Sequence, residues 1–472
     1  MATHPLFLAG KETPTSITFR HRAVYDGRDL GEVCLAGKGE AAAALSAAWH
    51  ARLPMSKLSA GARESVLRRV AEALLHQQED FAQVIAAETG KPISLARGEV
   101  ARAVTTFEIS AEEAKRNAGE VISLDTLPAS EGRIGLVKRF PRGTVIGITP
   151  FNFPINLVAH KVAPALAAGC PIILKPAPQA PLTALMLGRI LAQLGLPEGA
   201  FSILPCTNDV AETLVRDDRA ATVSFTGSAK VGWFLASIAG KKRVVLELGG
   251  NASVIVEPDA DLEAAAQRIV TGAFANAGQV CIKVQRVFAH EKIADKLLAR
   301  LLERTALLGV GDPTHDDVLV GPLIDENNAL RVEAWVQEAV KQGANVLSGG
   351  TRDGLFYRPT WLTDVPETAR VCCDELFGPV TVFARYQDFE AALSAVNASE
   401  FGLQAGVFTH SLPLAMQAFE TLEVGGVILN DVPTYRVDHM PYGGVKGSGL
   451  GREGPKYAIE QFTEPRLLAI KP

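Results

Sequence analysis

Residues 144–176 read TVIGITPFNFPINLVAHKVAPALAAGCPIILKP, in which two short, continuously apolar runs flank a helix pattern. Apolar runs of this length are typical of strands that are buried on both faces of a parallel sheet. The helix pattern ends at Gly169, and glycine commonly terminates helices. The order of strand, turn and helix repeats through FSILP, ATVSFTG and RVVLELGG up to residue 250. This succession predicts a doubly wound α/β domain with a parallel sheet.

A second α/β series begins near Ala252 and extends to about residue 450, with SVIVEP and VQRVFAH as predicted strands. Upstream of the first series, the apolar spacing predicts one helix over 59–90 and another over 95–117. Residues 119–141 and 451–472 contain too little apolar sequence for a core of their own. We expect these two segments to form a ribbon whose strands pair with a neighbouring subunit.

The composition excludes several classes of protein. The chain has 472 residues, of which 47% are hydrophobic and 21% charged, and its net charge is −5. A nucleic-acid-binding protein would carry a basic patch, and none is visible. The longest apolar runs, such as 144–148, are too short to span a bilayer, and no signal peptide is apparent at the N-terminus. We therefore expect a cytoplasmic protein that binds neither nucleic acid nor membrane.

Six cysteines are spread along the chain, without CxxC pairs or histidines at zinc-ligand spacing. We expect no metal site and no disulfide framework. Cys281 differs from the others because it follows an Ala-Gly-Gln run and precedes a strand pattern, in FANAGQVCIKVQRV. A thiol among small residues is accessible to a ligand, although most isolated cysteines are simply buried apolar groups.

Ligands of open α/β sheets bind at the carboxyl ends of the strands, and polar residues cluster there. Gly227 and Ser228 follow a strand and begin a helix, where free N–H groups suit a phosphate. Lys175 ends the strand PIIL, and Asn152 lies in the rigid loop PFNFP. Glu247 ends an apolar strand, so burial would raise its pKa and make it a candidate base. Each of these residues also has a purely structural interpretation. Ser228 would only cap its helix, and Lys175 would be a surface lysine. Asn152 would stabilise its loop through an Asx-turn, and Glu247 would be salt-bridged.

The motifs PFNFP, KPAP, FTGS, ELGG, GQVC and ELFGP occur in this order over nearly the whole chain. Together they resemble the aldehyde dehydrogenase superfamily. The resemblance implies a Rossmann-like nucleotide-binding domain (1–118 and 142–248), an α/β catalytic domain (249–450) and a small β oligomerisation ribbon (119–141 and 451–472). It also implies a homodimer or homotetramer.

By this resemblance, Cys281 is the nucleophile that attacks an aldehyde to give a thiohemiacetal. The side chain of Asn152 and the backbone N–H of Cys281 would hold the oxyanion. Hydride transfer to a nicotinamide then leaves a thioester, which water hydrolyses with Glu247 as the base.

The resemblance also assigns the cofactor contacts. Lys175 would bind the adenosine ribose and Ser228 the pyrophosphate, while Glu375 would hold the nicotinamide ribose. The remaining expected cofactor contacts are Thr149, Pro150, Phe151, Gly227, Leu248 and Phe377. Pro178 stands where NAD-preferring members often carry a ribose-binding glutamate, so NAD and NADP both remain open.

The segments NLVAHKVAPA and YRVDHMPYGG resemble dehydrogenases of lactaldehyde, phosphonoacetaldehyde and related small polar aldehydes. The expected lining of the substrate tunnel is Phe151, Leu157, His160 and Ile282. Arg436, together with Arg97 or Arg102, would pair with an anionic tail, or else these are surface arginines. Val280 argues against a phosphorylated substrate, since members acting on phosphorylated glyceraldehyde often have arginine there.

Two alternatives remain at this point. A coenzyme-A-acylating semialdehyde dehydrogenase would often lack the glutamate of ELGG, so Glu247 favours hydrolysis. A catalytically silent binding or structural relative would be favoured by loss of Cys281 or Glu247, and both residues are present.

Overall fold

Two large sheets dominate the computed structural model, which describes residues 2–117 and 119–471. The first sheet has five central parallel strands, with antiparallel strands at both edges. From edge to edge its strands are Gly449–Leu450, Arg243–Glu247, Ala220–Thr226, Thr144–Ile148, Ile172–Lys175, Phe201–Ile203, Leu6–Leu8 and Lys11–Thr13.

The strand Thr144–Ile148 comes first along the chain among the five parallel strands, yet it lies in the middle of the sheet. The chain first builds the sheet outward on one side, through Ile172–Lys175, and then returns to build the other side from Ala220–Thr226. This order is the doubly wound arrangement expected from the sequence. The order reverses between Thr144–Ile148 and Ala220–Thr226, so the loops after these two strands diverge. Ligands of such sheets bind at this switch point.

The second sheet contains seven strands, and all neighbouring pairs are parallel except the pair at one edge. In spatial order its strands are Asn345–Ser348, Thr360–Thr363, Val380–Tyr386, Arg286–His290, Ser253–Val256, Gln404–Phe408 and Gly426–Leu429. Its central strand Arg286–His290 follows the loop that contains Cys281. The second α/β series read from the sequence therefore forms a sheet of its own.

Helices cover both sheets. In chain order they are Lys38–Lys57, Ala60–His76, Gln78–Thr89, Ile93–Arg116, Asn156–Ala168, Pro181–Ala192, Asn208–Arg216, Ala229–Ile238, Leu262–Phe274, Glu291–Ala306, Glu326–Lys341, Arg370–Cys373, Phe389–Asn397, Leu412–Thr421 and Pro455–Phe462. Within the described ranges, no helix combines the length and the apolar character needed to cross a membrane.

The single helix predicted over 59–90 is in fact two helices, separated at Gln77. Ser59 caps the first, because its hydroxyl accepts a hydrogen bond from the Ala62 N–H at 3.1 Å. Gly90 ends the second in a left-handed conformation, with φ of 70°. The two expected ends are therefore right, and the break was missed because the apolar spacing continues across it.

A three-stranded antiparallel ribbon extends from the first sheet and consists of Glu120–Ser123, Ile134–Pro141 and Thr463–Ile470. Its C-terminal part begins at Thr463, later than the residue 451 expected from the sequence. The helix Pro455–Phe462 instead contributes Ala458, Ile459 and Phe462 to the core beneath the first sheet. These apolar side chains recur at helical spacing, so a helix packed on the core satisfies them better than an exposed strand.

The remaining strands form small peripheral sheets. They are Thr3–His4, Thr18–Arg22 and Asp29–Cys34 in one sheet, and the pairs Gly309–Val310 with Val318–Val320, Arg352–Asp353 with Phe356–Tyr357, and Phe401–Gly402 with Val445–Lys446.

A fully buried carboxylate, Glu88, joins three parts of the first core. It accepts hydrogen bonds from the N–H groups of Leu182 and Thr183, at 2.6 and 2.9 Å, and from the Thr183 hydroxyl at 2.6 Å. The imidazole Nε2 of His21 lies 3.1 Å from the same carboxylate. Glu88 thereby satisfies donors at the start of the helix Pro181–Ala192, where no intrahelical acceptor exists.

We predict that Glu88→Ala lowers the free energy of unfolding by about 3–5 kcal/mol, since it leaves several buried donors without an acceptor. Chemical denaturation followed by circular dichroism measures the change. Glu303→Ala is the matched control, because Glu303 is an exposed residue in a helix and should change stability by about 0.5 kcal/mol or less. Equal denaturation midpoints for the two variants would contradict a stabilising role of the Glu88 carboxylate.

Candidate active site

A cavity of about 740 Å³ lies between the strand ends of the first sheet and the loop that leads into the second sheet. Most of the residues singled out from the sequence line it. They are Asn152, Glu247, Cys281, Pro150, Phe151, Gly227, Ser228, Leu248, Glu375, Phe377, Leu157, Ile282 and Arg436. Three predicted site residues do not line this cavity: Thr149, Lys175 and His160.

Cys281 follows a tight turn in which Asn276, Ala277 and Gly278 all have left-handed backbone angles, with φ of 56°, 53° and 66°. Two of these residues are not glycine, so the surrounding structure must hold the turn in place. The turn presents the Cys281 side chain to the cavity, where its Sγ lies 3.1 Å from the hydroxyl of Tyr442. Burial raises the pKa of the Cys281 thiol to about 11.

The amide of Asn152 is fixed against the cysteine loop. Its Nδ2 donates one hydrogen bond to the backbone carbonyl of Gln279, at 3.0 Å. A side-chain amide has two N–H groups, so the second remains for a ligand in the cavity. Gln279 is itself anchored, since its side-chain oxygen accepts the Ile324 N–H at 2.9 Å.

The loop that carries Asn152 is also held from below by Glu99. This buried carboxylate accepts the N–H groups of Ile155 and Asn156, at 2.9 and 3.2 Å. It forms an ion pair with Lys91, whose ammonium lies 3.8 Å from the ring centre of Phe153. The PFNFP loop is therefore rigid on both sides of the amide.

Glu247 ends its strand with both carboxylate oxygens buried and without a hydrogen-bond partner among the described residues. Burial, followed by the nearby Glu453 carboxylate, raises the pKa of Glu247 well above its ordinary value. Gly443 packs against it so closely that a Cβ there would lie 2.7 Å from Oε1 of Glu247. The carboxyl group therefore has a site shaped for it, but no donor to stabilise its charge.

Glu453 differs from Glu247 because two cations neutralise it. Its carboxylate lies 3.1 Å from Lys161 Nζ and 3.2 Å from Arg436 Nη2. Burial alone would raise the pKa of Glu453, yet Lys161, His160 and Arg436 together hold it at about 2. Sequence reasoning missed Lys161 and Glu453. A lysine in the apolar helix NLVAHKVAPA was a signal that could have identified the first.

The three arginines considered for the substrate differ in their position relative to the cavity and in their partners. Arg102 lines the cavity and donates two hydrogen bonds to Asp438, at 3.1 and 2.8 Å. Arg436 also lines the cavity, with its guanidinium 3.6 Å from the ring centre of Tyr442. Arg97 is outside it, paired with Glu79 and Asp316. Of the two early arginines considered, only Arg102 reaches the site.

His160 lies behind the cavity wall instead of lining it. Its Nε2 is 2.9 Å from Asp438 Oδ1 and 3.1 Å from Arg436 Nη2. Burial, followed by the charge of Arg436, lowers the pKa of His160. The imidazole therefore lies between Asp438, the partner of Arg102, and Arg436, and it supports the cavity wall from behind.

Glu375 is a further carboxylate that lines the cavity. The N–H of Gly250 donates to its carboxylate at 3.3 Å, and a Cβ on Gly249 would lie only 2.2 Å from it. The glycine pair of ELGG thus lets this carboxylate approach the backbone. Burial raises the pKa of Glu375 to about 7. Phe377 packs edge-on against Phe151, with ring centres 6.0 Å apart.

Two buried amides that sequence reasoning missed fix the backbone around Glu375. Asn251 donates to the carbonyls of Cys372 and Asp374, at 2.8 and 3.0 Å. Gln285 donates to the Asp374 carbonyl at 2.6 Å and accepts the Leu376 N–H at 3.1 Å. The residues on either side of Glu375 are therefore held from the second sheet.

The turn at Gly227 and Ser228 fits a dinucleotide phosphate. Ser228 precedes the helix Ala229–Ile238, and its side chain makes no capping hydrogen bond, so the first helical N–H groups have neither a side-chain cap nor an intrahelical acceptor. Lys175 is buried at the end of Ile172–Lys175, which is separated from Ala220–Thr226 in the sheet by Thr144–Ile148, and burial lowers the pKa of its ammonium. The backbone carbonyl of Lys175 accepts the Thr149 N–H at 3.2 Å, which links the end of Ile172–Lys175 to the end of its neighbour Thr144–Ile148.

Within 2–117 and 119–471, no group of three or more histidine, cysteine, aspartate or glutamate side chains could hold a metal ion.

Comparison with known proteins adds three findings. Residues 11–468 match the aldehyde dehydrogenase family. The chain is 45% identical to the 3-sulfolactaldehyde dehydrogenase of Priestia megaterium, over 98% of this chain and 97% of the relative. It superposes with a TM-score of 0.97 on aldehyde dehydrogenase 21 from Physcomitrella patens, solved in complex with the reaction product succinate. That protein is 43% identical, with 99% of this chain and 98% of the relative covered.

A further structure, the NADP-dependent glyceraldehyde-3-phosphate dehydrogenase of Bacillus halodurans C-125 with bound NADP, superposes with a TM-score of 0.96 at 34% identity. The match covers 100% of this chain and 99% of the relative. These likenesses extend over both sheets and the ribbon, and they confirm the expected fold class. The chain therefore belongs to the aldehyde dehydrogenase family and is an NAD(P)-dependent aldehyde dehydrogenase.

Proposed function

We propose that the chain oxidises a small polar or anionic aldehyde to its carboxylic acid, with Cys281 as nucleophile and Glu247 as base. One observation carries this proposal: the Cys281 thiol, the Asn152 amide and the unpartnered Glu247 carboxyl line the same cavity. A nucleophile, an oxyanion donor and a base are the three groups that acyl chemistry through a thioester requires.

In the first step, the thiolate of Cys281 attacks the carbonyl carbon, and the free N–H of Asn152 with the backbone N–H of Cys281 would hold the oxyanion. A preorganised donor of this kind contributes about 10²–10³-fold in rate. Bound NAD or NADP supplies the acceptor for the hydride that leaves this carbon. Gly227 and Ser228 would hold the pyrophosphate, Lys175 the adenosine ribose, and Glu375 the nicotinamide ribose beside Phe377.

In the second step, Glu247 accepts a proton from the water that attacks the thioester. The carboxyl group has no competing donor, so an incoming water can occupy its hydrogen-bonding positions. Its raised pKa makes the ionised form a stronger base than an exposed glutamate. The presence of this carboxyl favours hydrolysis over transfer of the acyl group to coenzyme A.

An anionic substrate is favoured by the charges at the substrate end. Arg102 and Arg436 line the cavity; the carboxylate that pairs with Arg102, Asp438, lies outside the lining, whereas the partner of Arg436, Glu453, is part of it. Arg102 still has an Nη1 without a hydrogen-bond partner among the described residues, which suits a carboxylate or sulfonate oxygen. The relative from Priestia megaterium is named for a sulfonated aldehyde, and the structure from Physcomitrella patens contains a dicarboxylate product.

We further propose that the ribbon joins subunits into a homodimer or homotetramer, and that the two sheets correspond to the nucleotide-binding and catalytic domains. Leu467 and Leu468 are consecutive residues of the ribbon, exposed at 56% and 59%. Consecutive strand residues point to opposite faces, so both faces of the ribbon are uncovered in one chain. An uncovered apolar strand of this length needs a partner to avoid non-specific association.

We predict that Glu247→Gln retains the first turnover but stalls at the acyl-enzyme. Reduced nicotinamide, followed by stopped-flow absorbance, should show a burst and then a steady rate about 10²-fold or more below that of the parent. Because the pKa of Glu247 is raised, turnover of the parent should rise with pH as this carboxyl ionises, and the variant should lack that rise. Cys281→Ala should show neither phase while it still binds cofactor. An unchanged steady rate in Glu247→Gln would contradict the role of the base.

We predict that Arg102→Met lowers kcat/KM for an anionic aldehyde, such as succinic semialdehyde, by about 10–100-fold, because a charge-assisted hydrogen bond is lost. The value for propanal should change by less than about threefold, since propanal has no charge to bind. Arg97→Met is the matched control, because Arg97 is paired outside the cavity and should leave both values unchanged. Equal losses for both aldehydes would contradict an anion contact.

We predict that the double variant Leu467→Glu with Leu468→Glu shifts the protein to a smaller species, because charge on both ribbon faces opposes their burial. Light scattering coupled to gel filtration gives the molar mass. Leu307→Glu, at a residue 80% exposed outside the ribbon, should keep the parent's mass. The same mass for all three proteins would contradict the ribbon as the subunit contact.

A further inference from the structure

The hydroxyl of Tyr442 is the hydrogen-bond partner of the Cys281 thiol. The two atoms lie 3.1 Å apart, and no other described side chain is within hydrogen-bonding distance of this sulfur. Tyr442 is only 2% exposed, and its hydroxyl contacts no second acceptor in the described chain. The phenol is therefore directed at the Cys281 sulfur, and it takes no part in the steps proposed above for Asn152 and Glu247.

The charges that face Cys281 make such a donor valuable. Burial raises the pKa of the thiol to about 11, and the carboxyls of Glu375 and Glu247 act in the same direction. Tyr442 and the guanidinium of Arg436 are the neighbours that favour the thiolate. A thiolate in this cavity thus depends on one hydrogen-bond donor and one cation.

Arg436 acts on both partners. Its guanidinium is 3.6 Å from the ring centre of Tyr442, which is the distance of a close cation–π contact. A cation on the ring face withdraws electron density from the phenol and strengthens its O–H as a donor. Burial raises the pKa of Tyr442 well above its ordinary value, so the phenol keeps its proton and can give it only as a hydrogen bond.

We propose that Tyr442 is a catalytic residue that donates its O–H to the Cys281 thiolate, and so allows the nucleophile to form in a buried site that contains two carboxyl groups. This inference rests on the proposed function of Cys281. Ionisation breaks the S–H bond and passes that proton to water in the cavity, or to Glu247 when its carboxyl is ionised. The phenolic O–H bond stays intact throughout.

When the sulfur attacks the aldehyde, its electron pair forms the C–S bond and its negative charge moves to the oxyanion. The hydrogen bond from Tyr442 then loses its charged acceptor and weakens. Tyr442 therefore stabilises the thiolate before attack more than the thioester after it. Its removal should be felt in formation of the nucleophile, and much less in cofactor binding.

The test compares Tyr442→Phe, which removes one oxygen atom and keeps the ring beneath Arg436, with the parent protein. Alkylation by iodoacetamide is measured from pH 6 to pH 10 without cofactor, and mass spectrometry quantifies the modified peptide that contains Cys281. For Tyr442→Phe we expect an alkylation rate about tenfold lower throughout this pH range, because loss of the hydrogen bond lowers the fraction of thiolate. The kcat/KM for the aldehyde should fall in parallel, and the dissociation constant of the cofactor should stay within about twofold.

Tyr25→Phe is the matched control, because Tyr25 is 42% exposed and lies outside the cavity, so its alkylation profile should equal that of the parent. An unchanged profile in Tyr442→Phe overturns the proposal. Faster alkylation also overturns it, since the thiol would then be the donor to the phenol oxygen. Alkylation reports the reactivity of the Cys281 thiol directly, so it tests the role of Tyr442 without an assay of turnover. Whether Cys281 is the nucleophile is decided separately, by the turnover of Cys281→Ala.

Discussion

The hydrogen bond from the Asn152 amide to the carbonyl of Gln279 joins two loops that belong to different sheets. Asn152 follows a strand of the first sheet, and Gln279 lies two residues before Cys281 on the way into the second sheet. An oxyanion can be shared only if its donor and the attacking sulfur keep a fixed separation. This contact sets that separation, and the anchors on either side of it, Glu99 and Ile324, keep it from varying.

The electrostatics of the cavity rest on unequal treatment of two neighbouring carboxyls. Glu453 is surrounded by Lys161 and Arg436 and stays ionised, while Glu247 has no donor and is pushed toward its neutral form. A buried carboxyl without a partner costs stability, and proteins retain such groups mainly at functional sites. Burial is the main cause that raises the pKa of Glu247, and the nearby Glu453 carboxylate adds to it, while the cations that pair with Glu453 act in the opposite direction.

Two groups of residues around the cavity differ in their chemistry. Around Glu375, backbone approach at the ELGG glycines and the amides of Asn251 and Gln285 fix a polar surface. Around Arg102, Asp438 fixes a guanidinium that lines the cavity. Cys281 lines the same cavity as Glu375 and Arg102.

The sequence by itself determined the elements and the residues at their ends. Apolar runs with intervening helix patterns predicted the succession of strands and helices along the chain, because local spacing reports which faces are buried. The strand-end positions of Asn152, Glu247 and Ser228 followed from that order, and the motifs identified Cys281 and Glu375. What spacing could not reveal was the break at Gln77, since the apolar pattern runs through it, or the packing of 455–462 on the first core.

Only the tertiary structure decided which charges meet. Arg97 and Arg102 are nearly equivalent in sequence, yet one pairs at the surface and the other reaches the cavity through Asp438, 336 residues away. Tyr442 and Lys161 likewise gain their meaning from partners distant along the chain, Cys281 and Glu453. Local patterns carry no information about such pairs, because the distance between two side chains is fixed by how the sheets pack, and not by their separation in sequence.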